Sequence, residues 1–398
     1  MSSLFPAADV AASTPTARSL DDILDALGAE FAERAEQYDR TGEFPRENFR
    51  RLHEYGLLSL ATPQRYGGAG ASLPTLARVI GKISKGDPST GLILTMQYLF
   101  NDLTARSTSW PEGLRARVFE SVVRDGALIN GLRVEPALGT PARGGLPDTI
   151  ARREPGGWRI DGRKIYSTGV HGLTWLSVWA RTDETPPRIG GWLVPRDAPG
   201  VSVVENWDHL GMRATGSHEV VFDNVLVPLE YGTSIWPEGH HGARLDPTFA
   251  LWNTVLVSTV YDAVARAARD WFVAWLDGRR PSNLDSALSS LPHLQRVVGE
   301  IDTLLFANRL LLDAAIAGQV SPNEAGSLKY LVSGNAIAAV QKAVEWAGNP
   351  GLIRANPLQR HLRDVLCSRI HTPQNDSILL AAGKAAFAAR AGGASNGA

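Results

Sequence analysis

Two long parts of the chain carry apolar residues at helical spacing. From Leu20 to about Phe119, stretches such as LDDILDALGAEFAERAEQYD and LPTLARVIGKISKG place apolar residues three and four positions apart. This pattern predicts a block of amphipathic helices, interrupted by the glycine-rich loop PQRYGGAGAS. After a connecting loop, three longer stretches that begin at Phe249, Leu291 and Asn323 show the same spacing and predict a four-helix bundle with short loops.

The pattern between Ala127 and about Pro228 is different. GWRIDGRKIYSTG, WLSVWART and EVVFDNVLVP are short runs of β-branched and aromatic residues, separated by Gly, Pro and Asp. This part of the chain is therefore predicted to form a small antiparallel barrel or sandwich.

Composition narrows the classes of partner. The 398 residues carry a formal net charge of -1, which gives no electrostatic reason to expect nucleic acid or an anionic membrane as partner. No apolar run approaches the roughly 18 residues of a membrane span, and residues 1–18 are interpreted as a flexible leader and not a signal peptide. The single cysteine, Cys367, excludes intrachain disulfides and favours a cytoplasmic location.

Four strings of residues point to a family. LLSLATPQRYGGAGASLP, GRKIYSTG, HLGMRATGSHEVVFDNVLVP and NPLQRHLRDV together resemble the acyl-CoA dehydrogenase superfamily over nearly the whole chain. The resemblance implies an α+β fold with an N-terminal helical domain (residues 19–126), a central β-domain (127–235) and a C-terminal helical bundle (236–398). It also implies a flavin between the β-domain and the bundle, and a homotetramer.

The catalytic base of the dehydrogenases is missing. Most members of the superfamily have a glutamate nine residues after the RD pair, which falls here within Ile370–Pro373, with Thr372 the best match. A minority have it early in the first bundle helix, where this chain has about Asn253. Neither position is acidic, although removal of a weakly acidic α-proton needs a positioned base.

The segment RIHTPQND carries His371 instead, and in this it resembles the flavin-dependent monooxygenases of the dibenzothiophene monooxygenase type. That resemblance implies that reduced flavin and dioxygen form a C4a-hydroperoxide, which transfers one oxygen atom to a sulfur, nitrogen or aromatic carbon centre of a small organic substrate. Histidine can exchange protons near neutral pH, whereas a glutamate would place a negative charge beside a forming peroxide anion.

Two other functions stay open. The second hypothesis is an acyl-CoA dehydrogenase or related flavin oxidase with a displaced catalytic acid, for which Asp376 and Asp246 are candidates. The third is a catalytically silent protein with a flavin-binding fold. The structural alternative for His371 is a histidine that caps or lines the last helix.

The resemblance also assigns site residues. It implies that Thr168 faces flavin N5 and that Asn130 places an amide near the peroxide, so His371, Thr168 and Asn130 are the predicted catalytic residues. The predicted flavin contacts are Arg133, Val134, Tyr166, Ser167, Thr168, Trp207 and Arg279. An ordinary strand at 166–168 and a turn residue at Asn130 are the structural alternatives.

A substrate pocket is predicted from aromatic and polar residues in the helical parts. Its residues are Tyr98, Trp252 and Asn253, with Phe249 and Tyr261 as further candidates, although aromatic residues in apolar helices are equally typical of a core.

The form of the flavin follows from departures from the dehydrogenase pattern. Arg279 and Arg280 stand where dehydrogenases hold the pyrophosphate of FAD across a subunit boundary, but the Phe-Gly that normally follows is absent. We therefore expect FMN, with FAD as the alternative, and an arginine on its terminal phosphate. No nicotinamide-binding domain is recognised, so reduced FMN is expected from a separate NAD(P)H:flavin reductase.

Two further groups of residues complete the predictions. Arg363 and Asp364 are predicted to form a structural ion pair that seats the last helices. No metal site is predicted, because the His240–His241 pair lacks further ligands at metal-binding spacing.

Overall fold

The computed structural model of the protein describes residues 18–139, 145–237 and 246–394. The N-terminal helices are α1 (Leu20–Thr41), α2 (Arg46–Glu54), α3 (Leu73–Gly86), α4 (Pro88–Arg106) and α5 (Glu112–Asp125). The strands are β1 (Leu128–Leu132), β2 (Ile150–Glu154), β3 (Gly157–Lys164), β4 (Leu173–Thr182), β5 (Arg188–Pro195), β6 (Val201–Val204), β7 (Glu219–Val227) and β8 (Gly232–Pro237). The C-terminal helices are α6 (Pro247–Gly278), α7 (Pro292–Ile316), α8 (Ala325–Ala347), α9 (Asn349–Leu352), α10 (Leu358–Leu366) and α11 (Asn375–Ala394). This order of helices, sheet and helices confirms the predicted fold class.

The N-terminal helices are set by local sequence signals and by burial. Ser19 and Asp22 form a reciprocal capping box at the start of α1. Asp87 accepts hydrogen bonds from the first free backbone N–H groups of α4, and Pro88 occupies the first turn of α4. Helix α4 is buried on nearly all sides because it packs between α3, α6 and β1. It therefore connects the N-terminal helices to both other parts of the molecule.

The eight described strands form one sheet in the order β6-β7-β3-β2-β4-β5-β8, with β1 paired to β4 beside this path. Most neighbours are antiparallel, as predicted, but β1 and β2 both run parallel to β4, which the prediction of an antiparallel barrel or sandwich did not include. Alternating side chains indicate which face of a strand is buried and not the direction of its neighbour. Parallel neighbours need a long connection, and β2 and β3 with their loops supply it between β1 and β4.

A buried ion pair joins the end of β1 to the end of β3. Lys164 Nζ lies 2.5 Å from Glu135 Oε1, and both side chains are almost completely buried. Burial lowers the pKa of Lys164 to about 8, although Glu135 opposes this shift. Glu135 also accepts hydrogen bonds from the backbone N–H groups of Asp148 and Thr149. The pair fixes the start of the turn that follows β3.

Helix α6 runs through two hydrophobic cores. Its first half, which includes Val255 and Tyr261, packs in the large core with the N-terminal helices and the sheet. Its second half, which includes Val264 and Phe272, packs with α7, α8 and α10 in a separate core. Within the described residues, no helix is long and apolar enough to span a membrane.

Candidate active site

The turn after β3 presents an aromatic side chain and two hydroxyls. Tyr166 adopts a left-handed backbone with φ of 58°, and 54% of its surface is exposed. The next residue is tied to the opposite segment, because Ser167 N donates to His218 O at 3.2 Å. A non-glycine residue in this conformation is uncommon, and such residues are frequent at functional sites.

Two predicted catalytic residues are in contact at this turn. Asn130 Nδ2 donates to the carbonyl oxygen of Thr168 at 3.0 Å, and Asn130 Oδ1 accepts from Gly131 N at 2.7 Å. Asn130 is a buried residue of strand β1, so its alternative interpretation as a turn residue is wrong. Ser217 Oγ donates to Thr168 Oγ1 at 3.1 Å. The hydroxyl hydrogen of Thr168 is therefore free to be donated to another group.

An aromatic group lies beside the turn. Tyr166 meets Trp207 edge to face with ring centroids 6.3 Å apart, and Trp207 stacks on His209 at 3.6 Å. The backbone N–H groups of Asn206 and Trp207 both donate to His218 Nδ1 at 3.0 Å. His218 thus holds the segment that carries Trp207, and no pattern in the sequence analysis indicated it.

The described residues contain a cluster with metal-binding geometry, formed by His171, Glu205 and His218. Both histidines place Nε2 3.0 Å from the carboxylate of Glu205. Because His218 Nδ1 accepts two backbone hydrogen bonds, the hydrogen of its neutral ring lies on Nε2 and is donated to Glu205. The cluster is already hydrogen-bonded internally. The His240–His241 pair lies outside the described residues.

Arg133 and Val134 continue from β1 in different directions. Val134 pairs with Ile165 through an isolated antiparallel bridge. The Arg133 guanidinium stacks over Trp179, 4.3 Å from the ring centroid, at the wall of a cavity of about 280 Å³. Gly131 lines the same cavity, and a side chain there would collide with the ring of Phe100. The cavity therefore begins one residue away from Asn130.

His371 lies on the bundle side of the molecule, in the turn before α11. Its Nε2 is 2.5 Å from the hydroxyl of Tyr261 on α6. Burial, and then the positive charge of Lys329, lower the pKa of His371 to about 4. Since burial also raises the pKa of Tyr261, the phenol keeps its proton at neutral pH and can donate it to Nε2.

Lys329 on α8 holds the backbone of this turn. It is almost completely buried, and its Nζ donates to the carbonyl oxygens of His371 at 2.6 Å and of Pro373 at 2.7 Å. Burial lowers the pKa of Lys329 to about 8. Asn253 Nδ2 donates to Thr372 O at 3.4 Å. The sequence analysis missed Lys329, although a lysine within the apolar face of α8 was a signal that could have identified it.

The predicted pocket residues do not line the cavity beside Arg133. Tyr98 is completely buried, and its hydroxyl donates to Leu57 O at 2.7 Å, as expected of a core residue. Trp252 is partly buried against the large core, and Asn253 contacts the turn that carries His371. The alternative interpretation as core residues is therefore the better description of Tyr98 and Trp252.

Neither of the predicted displaced acids is arranged as a base. Asp376 lies exposed in the first turn of α11. Asp246 caps α6 by accepting from Phe249 N at 2.7 Å, and it forms an ion pair with Arg106 at 3.1 Å.

The prediction of an ion pair between Arg363 and Asp364 is wrong. Arg363 does not pair with Asp364: its guanidinium binds the carboxylate of Asp39 at 2.5 Å, whereas Asp364 accepts from Met212 N at 2.6 Å. Each residue therefore anchors the bundle to a different segment.

Arg279 is exposed at the end of α6, about 39 Å along the helix axis from Asn253 at 1.5 Å per residue. Within one protomer it does not join the other predicted flavin contacts.

The residues around the turn after β3 fit a flavin. Ser167 Oγ is buried and lacks a hydrogen-bond partner among the described residues, which is costly unless a bound group supplies one. The exposed ring of Tyr166, the ring of Trp207 and the free hydroxyl hydrogen of Thr168 surround the same point. An aromatic ring system with polar edges meets both requirements.

Three family models match the chain. They describe the N-terminal domain of acyl-CoA dehydrogenases over residues 17–106, the middle domain over 134–225 and the C-terminal domain over 263–375. The putative acyl-CoA dehydrogenase YdbM of Bacillus subtilis is 31% identical over 362 residues, which are 89% of this chain and 92% of YdbM.

Similarity extends to enzymes named for other chemistry. The L-evernosamine nitrososynthase of Micromonospora sp. is 29% identical over 381 residues, which cover 88% of this chain and 86% of the nitrososynthase. The structure of KijD3 in complex with FMN and dTDP-3-amino-2,3,6-trideoxy-4-keto-3-methyl-D-glucose is 27% identical, with a TM-score of 0.79 over 94% of this chain and 95% of KijD3. These relatives do not decide which branch of the family this chain represents.

Proposed function

Because this chain belongs to the acyl-CoA dehydrogenase superfamily and is a flavoprotein of that fold, we propose that it is a flavin-dependent monooxygenase. The proposed reaction inserts one atom of dioxygen into a small organic substrate. The names of the nitrososynthase relatives support a nitrogen centre as the atom that is oxidised, with sulfur and aromatic carbon as alternatives.

A single observation carries the proposal: neutral side chains stand where the dehydrogenases have their carboxylate. The turn contains His371 and Thr372, and Asn253 faces it from α6. His371 has a pKa of about 4, because it is buried and lies near Lys329. A neutral imidazole of this kind is a poor base toward a C–H bond.

The residues on the β-domain side would hold and orient the flavin. Tyr166 and Trp207 would flank the ring, while Asn130 fixes the carbonyl group of Thr168 and leaves its hydroxyl hydrogen for the flavin edge. Bound reduced flavin supplies the two electrons that activate dioxygen. With its pKa lowered to about 4, His371 would not hold a charge at neutral pH, contrary to the expectation from the sequence. Hydrogen-bonded to Tyr261, its neutral ring would instead relay the proton that oxygen transfer requires.

Cofactor form and partners are part of the proposal. FMN is favoured because the Phe-Gly of the FAD pattern is absent after Arg279 and because KijD3 was solved with FMN. Reduced FMN would come from a separate NAD(P)H:flavin reductase in the cytoplasm.

Exposed apolar side chains on α7, α8 and α11 support a homotetramer, and Arg279 could reach a flavin phosphate only in a second protomer. These side chains are Phe306, Leu310, Leu331, Leu379 and Leu380.

The test is an oxygen-labelling experiment. The protein is supplied with FMN, NADH, a flavin reductase and ¹⁸O₂, together with an amino-sugar nucleotide, a thioether or an aromatic substrate. We expect product that contains one ¹⁸O atom and whose formation depends on the reductase. Product without the label would overturn the proposal.

A matched anaerobic experiment separates the dehydrogenase alternative, which the name of YdbM favours. The protein with oxidised flavin is mixed with butyryl-CoA in the absence of oxygen. Bleaching of the flavin absorbance would support a dehydrogenase, whereas the monooxygenase predicts no bleaching.

A further inference from the structure

The cavity beside strand β1 is bordered by parts of all three domains. Its walls come from α4 and the segment after it, from strands β1, β4, β5 and β8, and from Asp246 just before α6. Its volume is about 280 Å³, enough for a small organic molecule. Gly131 lies in its wall, so the cavity is on the face of β1 opposite the Asn130 side chain.

Arg133 brings a positive charge to this cavity, and none of the described residues pairs with it. Among the described residues, the guanidinium makes neither a hydrogen bond nor an ion pair, and it lies over the Trp179 ring. Burial lowers the pKa of Arg133 to about 10, which still leaves it charged at neutral pH. Its five N–H donors are therefore available to a ligand in the cavity.

The other cations near the cavity already have partners. Arg106 binds Asp102 at 2.7 Å and Asp246 at 3.1 Å, so the one carboxylate in the cavity wall is already paired. Lys164 is paired with Glu135, and the charge of Arg133 contributes to the lowered pKa of that lysine. No carboxylate of the described residues thus neutralises the positive charge of Arg133.

The rest of the wall suits a polar ligand. Ser109 Oγ lies 2.8 Å from Ser234 Oγ, and Ser107 Oγ lies 3.0 Å from Ser109 Oγ. These hydroxyls form a row that can rotate to donate or accept. The indole of Trp179 lies in the same wall and supports the guanidinium through a cation–π contact.

We propose that Arg133 binds the oxyanion of a small molecule, a carboxylate or a phosphate, through two parallel hydrogen bonds in this cavity. The neighbouring hydroxyls take the remaining oxygen atoms.

The test is a binding titration with FMN-loaded protein, without reductase or turnover. Benzoate and phenyl phosphate are the anionic probes, and benzamide is the neutral control. We expect at least one anion to bind, and Arg133→Met to weaken that binding by about tenfold or more, as for loss of a charge-assisted hydrogen bond. Binding of benzoate alone identifies a carboxylate, and binding of phenyl phosphate alone identifies a phosphate.

Two further variants keep the test decisive. Arg309→Met is the matched control, because Arg309 also lies over an aromatic ring, that of Phe306 at 5.1 Å, but on the surface of the bundle. It should leave binding unchanged. Arg133→Lys keeps the charge but loses the planar fork, and it should bind with intermediate affinity.

Three results would overturn the proposal. These are failure of both anions to bind the unaltered protein, equal binding to Arg133→Met, and weaker FMN binding in Arg133→Met with unchanged binding of the anions. Because no oxygen transfer is measured, this inference can fail while the proposed monooxygenase activity stands, and the labelling experiment can fail while anion binding stands.

Discussion

In the β-domain half of the candidate site, Asn130 lies on a strand and Thr168 in a turn whose backbone is hydrogen-bonded to the neighbouring segment. In the bundle half, His371 lies in a short turn whose position depends on side chains, above all Lys329 and Tyr261. The first half is held by main-chain bonds that survive most substitutions. The second half depends on a few buried polar contacts, so single substitutions there should have larger effects.

The largest expected effect is on catalysis. His371→Ala should lower the rate of oxygen transfer by about 100-fold or more, because it removes the proposed proton-exchanging group. Tyr261→Phe keeps the ring packing and the histidine and should lower the rate less. The rates are measured with saturating reduced FMN. An unchanged rate in His371→Ala would show that the histidine is only structural.

The next effect is on stability. Lys329→Met leaves two carbonyl oxygens of the turn without their donor and should lower the free energy of unfolding by about 2–4 kcal/mol. Lys342→Met is the matched control on the same helix, since it removes an ion pair with Glu300 that is partly exposed to solvent. Its effect should be below about 1 kcal/mol. Urea unfolding measures both, and equal losses would show that the turn does not depend on Lys329.

The pH dependence of the free energy of unfolding should reflect the protonation of the His371 imidazole. Burial lowers its pKa from 6.5 to about 4, so between these values the unfolded chain binds a proton that the folded protein does not. Stability from this group is present above about pH 6.5 and is lost as the pH falls toward 4. Relative to His371→Gln, the protein should lose about 3 kcal/mol over this range, at about 1.4 kcal/mol for each unit of pKa difference. A titration of the imidazole by NMR with a midpoint near 6.5 would contradict the expectation.

The smallest effect is expected in the β-domain half. Asn130→Ala removes the hydrogen bond to the carbonyl oxygen of Thr168 and the local one from Gly131 N, and it should cost about 1 kcal/mol of unfolding free energy. Ser217→Ala removes the hydroxyl that contacts Thr168 Oγ1 and Thr215 Oγ1 and should cost a similar amount. Chemical denaturation measures both. A loss as large as that of Lys329→Met would contradict the comparison of the two halves.

The sequence predicted more of the β-domain half than of the bundle half. The string KIYSTG singled out Tyr166 and Thr168 through the family resemblance, although its strand-like pattern did not predict the turn that the structure shows there. Arg363 and Asp364 are adjacent in the chain and were predicted to pair, but their side chains lie on different sides of α10 and bind Asp39 and Met212. Proximity in sequence therefore did not imply contact.

By itself, the sequence determined the helical and strand character of each segment and the neutral residues at positions 371–373, since periodicity and residue type are local properties. Only the tertiary structure decided that Lys329 meets the carbonyl of His371 and that Arg133 meets an open cavity. Lys329 and His371 are 42 residues apart in the chain. Such contacts arise because packing of α8 and the sheet buries charged groups whose partners come from other elements, and no local pattern encodes the choice.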